Sequence, residues 1–278
     1  MTDAPGPVAD IAVIGGSGFY SFLTDVERYP VETPYGPPSD DIAVGEIDGR
    51  RVAFLARHGQ GHRFSAHEVP YRANLWALRS LGVRQVLAPC AVGSLVPEHG
   101  PGTLVVPDQV IDRTWGRAHT VYADAGAAVH VGFADPYCPT SRAAMVDGAS
   151  RVGLSAVAQG TLVVINGPRF STRAESRWHR SIGGTVVGMT GMPEASIARE
   201  LALCYSTACL VTDHDAGVEG QEPVSHEAVL AEFARSIDAL KAAVRTTICA
   251  LPAPEPDDTA TCSCRRALDG VTVPFPLP

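Results

Sequence analysis

Ile11-Ala12-Val13-Ile14-Gly15-Gly16-Ser17-Gly18 reads as a short apolar strand running straight into a glycine turn. Four consecutive apolar residues, three of them β-branched and closed off by glycine, fit a buried strand entering a tight loop. Working outward, Ile42–Ile47 and Arg51–Ala56 carry strand patterns on either side of Asp48-Gly49, a strong hairpin signal. Val86–Cys90, Thr103–Val106, Thr161–Ile165 and Ser206–Thr212 read as further strands.

Helical segments lie between them. Tyr71–Leu81 has helical periodicity and stops at Gly82. Ser171–Ile182 starts on Ser171 or Thr172 as cap and ends at Gly183-Gly184. Pro193 is placed to open a helix to about Leu203, and Ser225 opens a long one to about Ile248. Strands alternating with helices predict an α/β fold: a single domain with a central mixed β-sheet flanked by helices. The core is expected over about 11–250, with 251–278, rich in Pro and Asp at its start, as a C-terminal tail of loop or partner-contacting arm.

The chain has 278 residues, 45% hydrophobic and 19% charged, which suits a folded core rather than a disordered chain. A formal charge of −8 argues against a general nucleic-acid or membrane surface, so an anion site has to be a local cluster of Arg, Ser, Thr and backbone N–H groups. No stretch has the look of a targeting peptide or an 18-residue apolar span, and a cytoplasmic location is expected. Of seven cysteines, Cys90, Cys138, Cys204, Cys209 and Cys249 stand apart and read as small core residues. Cys262-Ser263-Cys264 is too closely spaced for a usual zinc pair, with no second close pair in sequence to complete one. Two free thiols and no metal are expected there.

The glycine loop admits a dinucleotide reading, which fails on inspection. That fingerprint needs Gly-x-Gly-x-x-Gly opening a helix, but the third glycine position is Ser21, and Thr33-Pro34-Tyr35-Gly36-Pro37-Pro38 downstream is loop. The loop can still cradle a single anion through converging N–H groups and the Ser17 hydroxyl.

Five further segments carry polar signatures close to strand ends or loops: Arg57-His58-Gly59, Ala91-Val92-Gly93-Ser94, Gly167-Pro168-Arg169-Phe170-Ser171-Thr172-Arg173-Ala174-Glu175, Gly188-Met189-Thr190-Gly191-Met192-Pro193-Glu194, and Thr212-Asp213-His214-Asp215. In this order and spacing, from about Ile11 to Leu240, they resemble the methylthioadenosine phosphorylase branch of the trimeric purine nucleoside phosphorylases. The resemblance implies phosphorolysis of a purine nucleoside, most simply 5′-methylthioadenosine, with inorganic phosphate as co-substrate and no cofactor. It places phosphate on Ser17, Arg57, His58, Cys90, Ala91 and Thr190. The family usually has threonine where this chain has Cys90, and a thiol is the poorer donor.

By the same resemblance Phe170 packs on the base, Met189 on the ribose, and Asp213 and Asp215 read the purine. Asp213 would donate to N7 as general acid and Asp215 would accept from the 6-amino group. The 6-oxopurine branch has Asn and Glu where this chain has Asp213 and Ser171, which implies a 6-aminopurine here. The chemistry is sensible, since a leaving purine gains negative charge that a protonated carboxyl can stabilise.

The 5′ pocket matches less well. Methylthioadenosine-selective members carry a small apolar residue where this chain has His226, and a histidine there resembles enzymes that contact a 5′-hydroxyl. Val229 and Leu230, one turn on, supply an apolar wall. Methylthio, hydroxyl or another small substituent therefore all remain open, adenosine, 5′-deoxyadenosine and inosine included. His130 resembles a residue lent to the neighbouring subunit's 5′ pocket, which implies a homotrimer or a hexamer of two trimers. A non-enzymatic nucleotide-binding protein would not need a phosphate cradle, and a nucleosidase would need an Asp-rich calcium cluster missing from this N-terminus.

Overall fold

The opening apolar run is β1 (Ile11–Gly15), buried at every residue, in a computed structural model that describes residues 7–16, 18–123, 125–218 and 226–278, the side chains of 226 and 228–230 excepted. There follow β2 (Glu27–Tyr29), β3 (Ile42–Ile47) and β4 (Arg50–Ala56). β3 and β4 are antiparallel, and the hairpin turns on Asp48 and Gly49 at φ 51° and 77°, the left-handed pair that a two-residue turn of this hand requires. Helix α1 (Tyr71–Ser80) ends at Gly82, whose φ of +95° lets the chain reverse into β5 (Gln85–Ser94).

β6 (Leu104–Val105) and β7 (Gln109–Arg113) precede α2 (Pro139–Arg151), which has proline in its first turn. β8 (Ala156–Val157) and β9 (Thr161–Ile165) lead to α3 (Arg173–Ser181). Of the two cap candidates, Thr172 does the work: its hydroxyl accepts from the Glu175 N–H while Glu175 returns to the Thr172 N–H, a complete capping box. β10 (Val186–Gly188), α4 (Gly191–Glu200), β11 (Cys204–His214) and α5 (His226–Ala250) complete the order. Met192 and Pro193 have non-helical backbone angles, so regular helix begins after Pro193 rather than on it.

All eleven strands of this order belong to one mixed sheet, with a path β2-β3-β4-β1-β5-β10-β9-β7 and β11 leaving β5 toward β6 and β8. Side chains of β1 alternate between two cores: Ala12 and Ile14 join Leu75, Leu78, Ile197 and Ala198 from α1 and α4, whereas Ile11 and Val13 join Met145, Leu240, Val244 and Ile248 from α2 and α5. Each of the larger side chains, Ala12 and Ala198 aside, contributes roughly 1.5–3 kcal/mol on burial. On the second face α2 and α5 approach closely at Gly148, where a Cβ would lie 2.6 Å from Thr247 Oγ1.

β5 extends four residues past the predicted strand. Its whole length pairs in parallel with β11, from Gln85 opposite Cys204 to Ser94 opposite His214. Helix α2 and strands β2, β7, β8 and β10 were not legible as elements: the strands are two to five residues long, and α2 dilutes its apolar positions with Ser, Arg and Asp.

The tail corrects the placing of two cysteines. The Sγ atoms of Cys138, Cys204, Cys262 and Cys264 lie within 4.8 Å of one another, so Cys138 and Cys204, read as standing apart, are neighbours of Cys262 and Cys264. Cys138 caps α2, Cys204 opens β11, and the tail folds back onto both. Cys90 and Cys209 are also neighbours, at 3.7 Å.

Candidate active site

Two strands share one edge of β5 and run toward each other along it. β1 pairs in parallel with Gln85–Leu87, and β10 pairs antiparallel with Gly93 and Ser94, while β11 occupies the opposite edge throughout. The C-terminal ends of β1 and β10 therefore point at each other beside Pro89–Ala91. Onto this gap converge the loop at Gly16, the Arg57-His58 end of β4, the Met189-Thr190 turn and the Asp213 end of β11. Ligands of open α/β sheets bind in the crevice outside the carboxyl ends of the strands.

Arg57 occupies the corner between β1 and β5 but is not a free cation. It is 2% exposed, and its Nε and Nη2 donate to Glu194 at 2.8 and 3.0 Å. Nη2 also donates to the Ile14 carbonyl and Nη1 to that of Pro89. Four of its five N–H groups are thus engaged among the described residues, leaving one Nη1 hydrogen for a ligand. Burial alone would lower the Arg57 pKa, but the charge and hydrogen bonds of Glu194 outweigh it and hold the guanidinium ionised. Tyr205 donates to the same Glu194 at 2.8 Å.

His58 lies beside the glycine loop, its Cδ2 3.8 Å from where a Gly16 Cβ would stand. Its Nδ1 donates to the Phe64 carbonyl at 2.9 Å, which leaves Nε2 as the lone-pair nitrogen, and its ring stacks on His62 at 4.1 Å. Burial first, and then the Arg57 charge, push its pKa down to about 4. His58 is neutral at physiological pH. The Cys90 thiol sits 3.5 Å from Thr207 Oγ1, and the hydrogen bond from Cys209, together with Arg57, outweighs burial to bring it to about 7. Ala91 is exposed on β5, and Thr190 is buried at the start of α4 without spending its side chain on the helix cap. Gly18 closes the loop at φ +87°, and a Cβ there would lie 2.8 Å from Phe233 Cε1 of α5.

The two aspartates behave as their spacing predicts. A register shift between Val211 and Asp213 brings Asp213 opposite Gly93, and both carboxylate side chains crowd that glycine: a Cβ on it would stand 3.1 Å from Asp213 Oδ2 and 3.4 Å from Asp215 Cβ. Thr212 donates to Asp213 Oδ1 at 2.8 Å, leaving Oδ2 to carry a proton. Burial raises the Asp213 pKa to about 6, against the Thr212 hydrogen bond and with help from Asp215. Asp215 is 3% exposed and Ser171 9%, and among the described residues neither Asp215 Oδ2 nor the Ser171 hydroxyl has a hydrogen-bond partner. The chain after β11 is pinned to α3 by the Gly217 N–H, which donates to Ser176 Oγ at 3.0 Å.

Met189 lies along the Gly167 turn, where a Cβ would meet its sulfur at 2.6 Å. Phe170 is 40% exposed at the rim, on a loop held by the Arg169–Glu175 pair. Ser17 lies outside the described residues, as do the side chains of His226, Val229 and Leu230 at the start of α5. His130 is exposed in the long loop before α2. Glu194 and Tyr205 were missed by sequence reading. Glu194 stood inside a quoted motif, and a lone carboxylate in an otherwise apolar helix start was the available signal. Arg117 was missed too: buried, it donates to the carbonyls of Met192 and Asn166 and so ties together the two turns that carry Met189 and Phe170.

A family model described as the phosphorylase superfamily matches residues 10–248. A purine nucleoside phosphorylase of Streptomyces coelicolor is 56% identical over 277 residues, covering 97% of this chain and 98% of its own. An S-methyl-5′-thioadenosine phosphorylase of Mycolicibacterium smegmatis is 57% identical over 270 residues, covering 96% and 99%. The crystal structure of a methylthioadenosine phosphorylase from an antarctic soil metagenomic library superposes with a TM-score of 0.87 at 41% identity, covering 96% of this chain and 93% of its own. On sequence and on fold alike, this chain belongs to the phosphorylase superfamily, in the company of its methylthioadenosine and purine nucleoside phosphorylases.

Proposed function

We propose that this protein is a pentosyltransferase that splits 5′-methylthioadenosine with inorganic phosphate, giving adenine and 5-methylthioribose 1-phosphate. The observation that carries the base is the Asp213–Asp215 pair across Gly93, one carboxyl holding a proton near pH 6 and the other presenting an unpartnered buried oxygen. An oxygen without a partner is costly until something donates to it, and a 6-amino group does so. A relative from Schistosoma mansoni, a methylthioadenosine phosphorylase crystallised with adenine, has the same fold at 35% identity and a TM-score of 0.83.

In this reading phosphate is held by Ser17, His58, Cys90, Ala91, Thr190 and the remaining N–H of Arg57. A phosphate oxygen attacks C1′ as the bond from C1′ to N9 breaks, and the proton of Asp213 passes to N7 of the departing base. Asp213 is then reprotonated from solvent. The phosphate charge stabilises the cationic ribose on one face while the protonated carboxyl stabilises the leaving group on the other. Phe170 and Met189 pack on base and ribose, Ser171 and Asp215 bind the purine edge, and His226, Val229 and Leu230 form the 5′ wall. The reaction requires neither metal nor organic cofactor. His130 completes a neighbouring subunit's pocket in a homotrimer or a pair of trimers, a cytoplasmic assembly. No helix among the described residues is long and apolar enough to cross a membrane.

The relative from Streptomyces coelicolor, named for a broader purine activity, keeps a second reading in view: a phosphorylase for a 5′-hydroxyl purine nucleoside. Base release from methylthioadenosine, adenosine, 5′-deoxyadenosine and inosine, each with and without phosphate, decides. Methylthioadenosine is expected to give the highest kcat/KM, with no release in the absence of phosphate. Inosine as the best substrate would overturn the base assignment, and equal rates without phosphate would overturn the reaction.

A further inference from the structure

Cys138, Cys204, Cys262 and Cys264 come from three parts of the chain and meet in one pocket, three of them buried and Cys262 partly so. All four Sγ atoms fall within 4.8 Å of one another, with Cys204–Cys262 at 3.5 Å and Cys138–Cys262 at 3.9 Å. A tetrahedron of zinc–sulfur bonds of about 2.3 Å has edges of about 3.8 Å. We propose that these four cysteines bind one zinc ion as a tetrathiolate clasp that fastens the C-terminal tail to the body of the molecule.

The arrangement favours a metal over paired disulfides. The sulfurs form one cluster rather than two bonded pairs, and all four cysteines are free thiols. A disulfide between residues only two apart would close a small strained ring. The close spacing of Cys262 and Cys264 is no obstacle to a metal, because the other two ligands come from elsewhere. Cys138 stands at the N-terminus of α2, where the helix dipole favours a thiolate, and its N–H donates to the Tyr205 carbonyl at 2.8 Å, locking the first two ligands together. A zinc tetrathiolate carries two net negative charges, and Arg199, whose Nη2 lies 3.7 Å from Cys264 Sγ, supplies compensating charge.

The site has a structural task. Residues 251–278 form turns without helix or strand, so little regular hydrogen bonding holds them. Binding zinc releases four thiol protons to solvent and changes no oxidation state, and its free energy adds to that of folding. Cys204 opens β11, about 30 Å along the strand from Asp213 at roughly 3.3 Å per residue. The clasp is therefore remote from the Asp213 end of the strand, and none of its four cysteines belongs to the proposed reaction machinery.

The test uses the full-length protein purified from zinc-replete cells without chelator. Elemental analysis is expected to give about one zinc per chain, and the denatured, unreduced protein the mass of seven free thiols. Replacing zinc by cobalt(II) should yield the strong visible bands of a tetrahedral tetrathiolate centre, and Cys262→Ser or Cys264→Ser should lose both the bands and the stoichiometric metal. Both variants should also melt earlier with kcat/KM retained. A mass short by four hydrogens, showing two disulfides, would overturn the proposal. So would four freely titrating thiols with no metal, or a stoichiometric metal retained after either substitution. The measurements on unsubstituted protein stand even if a variant folds poorly, and none depends on the substrate.

Discussion

Glu194 holds Arg57 through two hydrogen bonds of 2.8 and 3.0 Å, and neither side chain is more than 2% exposed. In the proposed function the positive charge at the phosphate corner is therefore balanced before any phosphate arrives, and the arginine meets that ligand as one oriented N–H donor. Removing one partner of a buried ion pair strands the other. Glu194→Ala is predicted to cost about 3–5 kcal/mol of stability, read from the urea midpoint. Arg57→Met with Glu194→Leu should recover part of that loss while leaving phosphorolysis impaired. A Glu194→Ala protein as stable as the parent would sink this account.

Asp213 sets the pH behaviour. Its pKa is raised to about 6, mainly by burial, so the free enzyme loses the acid form as pH rises through 6, and kcat/KM should fall there. Asp213→Asn cannot give up a proton and should lower kcat by roughly 10²–10⁴-fold. Stability runs the same way with pH. A folded pKa above the unfolded value means that the stability contributed by the protonated form is full below about 4 and lost through 6. Asp213→Asn should therefore melt higher than the parent at pH 8, and the gap should close toward pH 4. An unchanged gap across that range would show that Asp213 does not titrate as described.

In the proposed function Gly93 sets the space for base recognition, for steric reasons. An alanine Cβ would stand 3.1 Å from Asp213 Oδ2, tight enough to displace that carboxylate, and in contact with Asp215 Cβ at 3.4 Å. Small displacements of reacting groups cost up to about 10²-fold. Gly93→Ala should lower kcat/KM for the nucleoside by roughly that factor while phosphate KM moves little. Equal damage to both substrates would mean that the strand, not the aspartate pair, had shifted.

His58, neutral with a pKa of about 4, should take up a proton when a phosphate dianion binds near its Nε2, since a neighbouring negative charge raises the pKa of an imidazole. Calorimetry at pH 6 in buffers of different ionisation enthalpy would detect that uptake. His58→Gln should abolish the buffer dependence. Persistence of it would assign the proton to another group.

Cys90 occupies a position at which a hydroxyl donates better than a thiol. Cys90→Thr is expected to lower the phosphate KM about 2–10-fold, one ordinary hydrogen bond, without changing nucleoside KM. Weaker phosphate binding in that variant would place Cys90 outside the cradle.

Much of the framework is local and therefore legible. β1, the Asp48-Gly49 hairpin and the capped start of α3 follow from neighbours in sequence. So does the common face of Asp213 and Asp215, because strand periodicity aligns residues two apart. What escaped is whatever depends on distant partners. Nothing adjacent to Arg57 announces a carboxylate 137 residues away, and nothing near Cys262 announces Cys138 or Cys204. β10 escaped because three residues are too few for a pattern, yet it is the strand that aims Met189 and Thr190 into the gap.

In the proposed function the close approach of α5 to Gly18 ties the phosphate loop and the 5′ wall to one body. Phe233 lies two helical turns after His226, about 10 Å along the axis, and Gly18 meets it so closely that no side chain fits between them. A substituent at the 5′ end that draws the start of α5 inward must therefore be felt at the phosphate loop, and occupancy of that loop must be felt at the 5′ end. Such linkage is reciprocal: the factor by which a 5′-methylthio nucleoside analogue tightens phosphate binding should equal the factor by which phosphate tightens the analogue. Titration of each in the presence of the other measures both. Discrimination at the 5′ position would then be exerted in part through the affinity for phosphate, and independent binding of the two would disprove it.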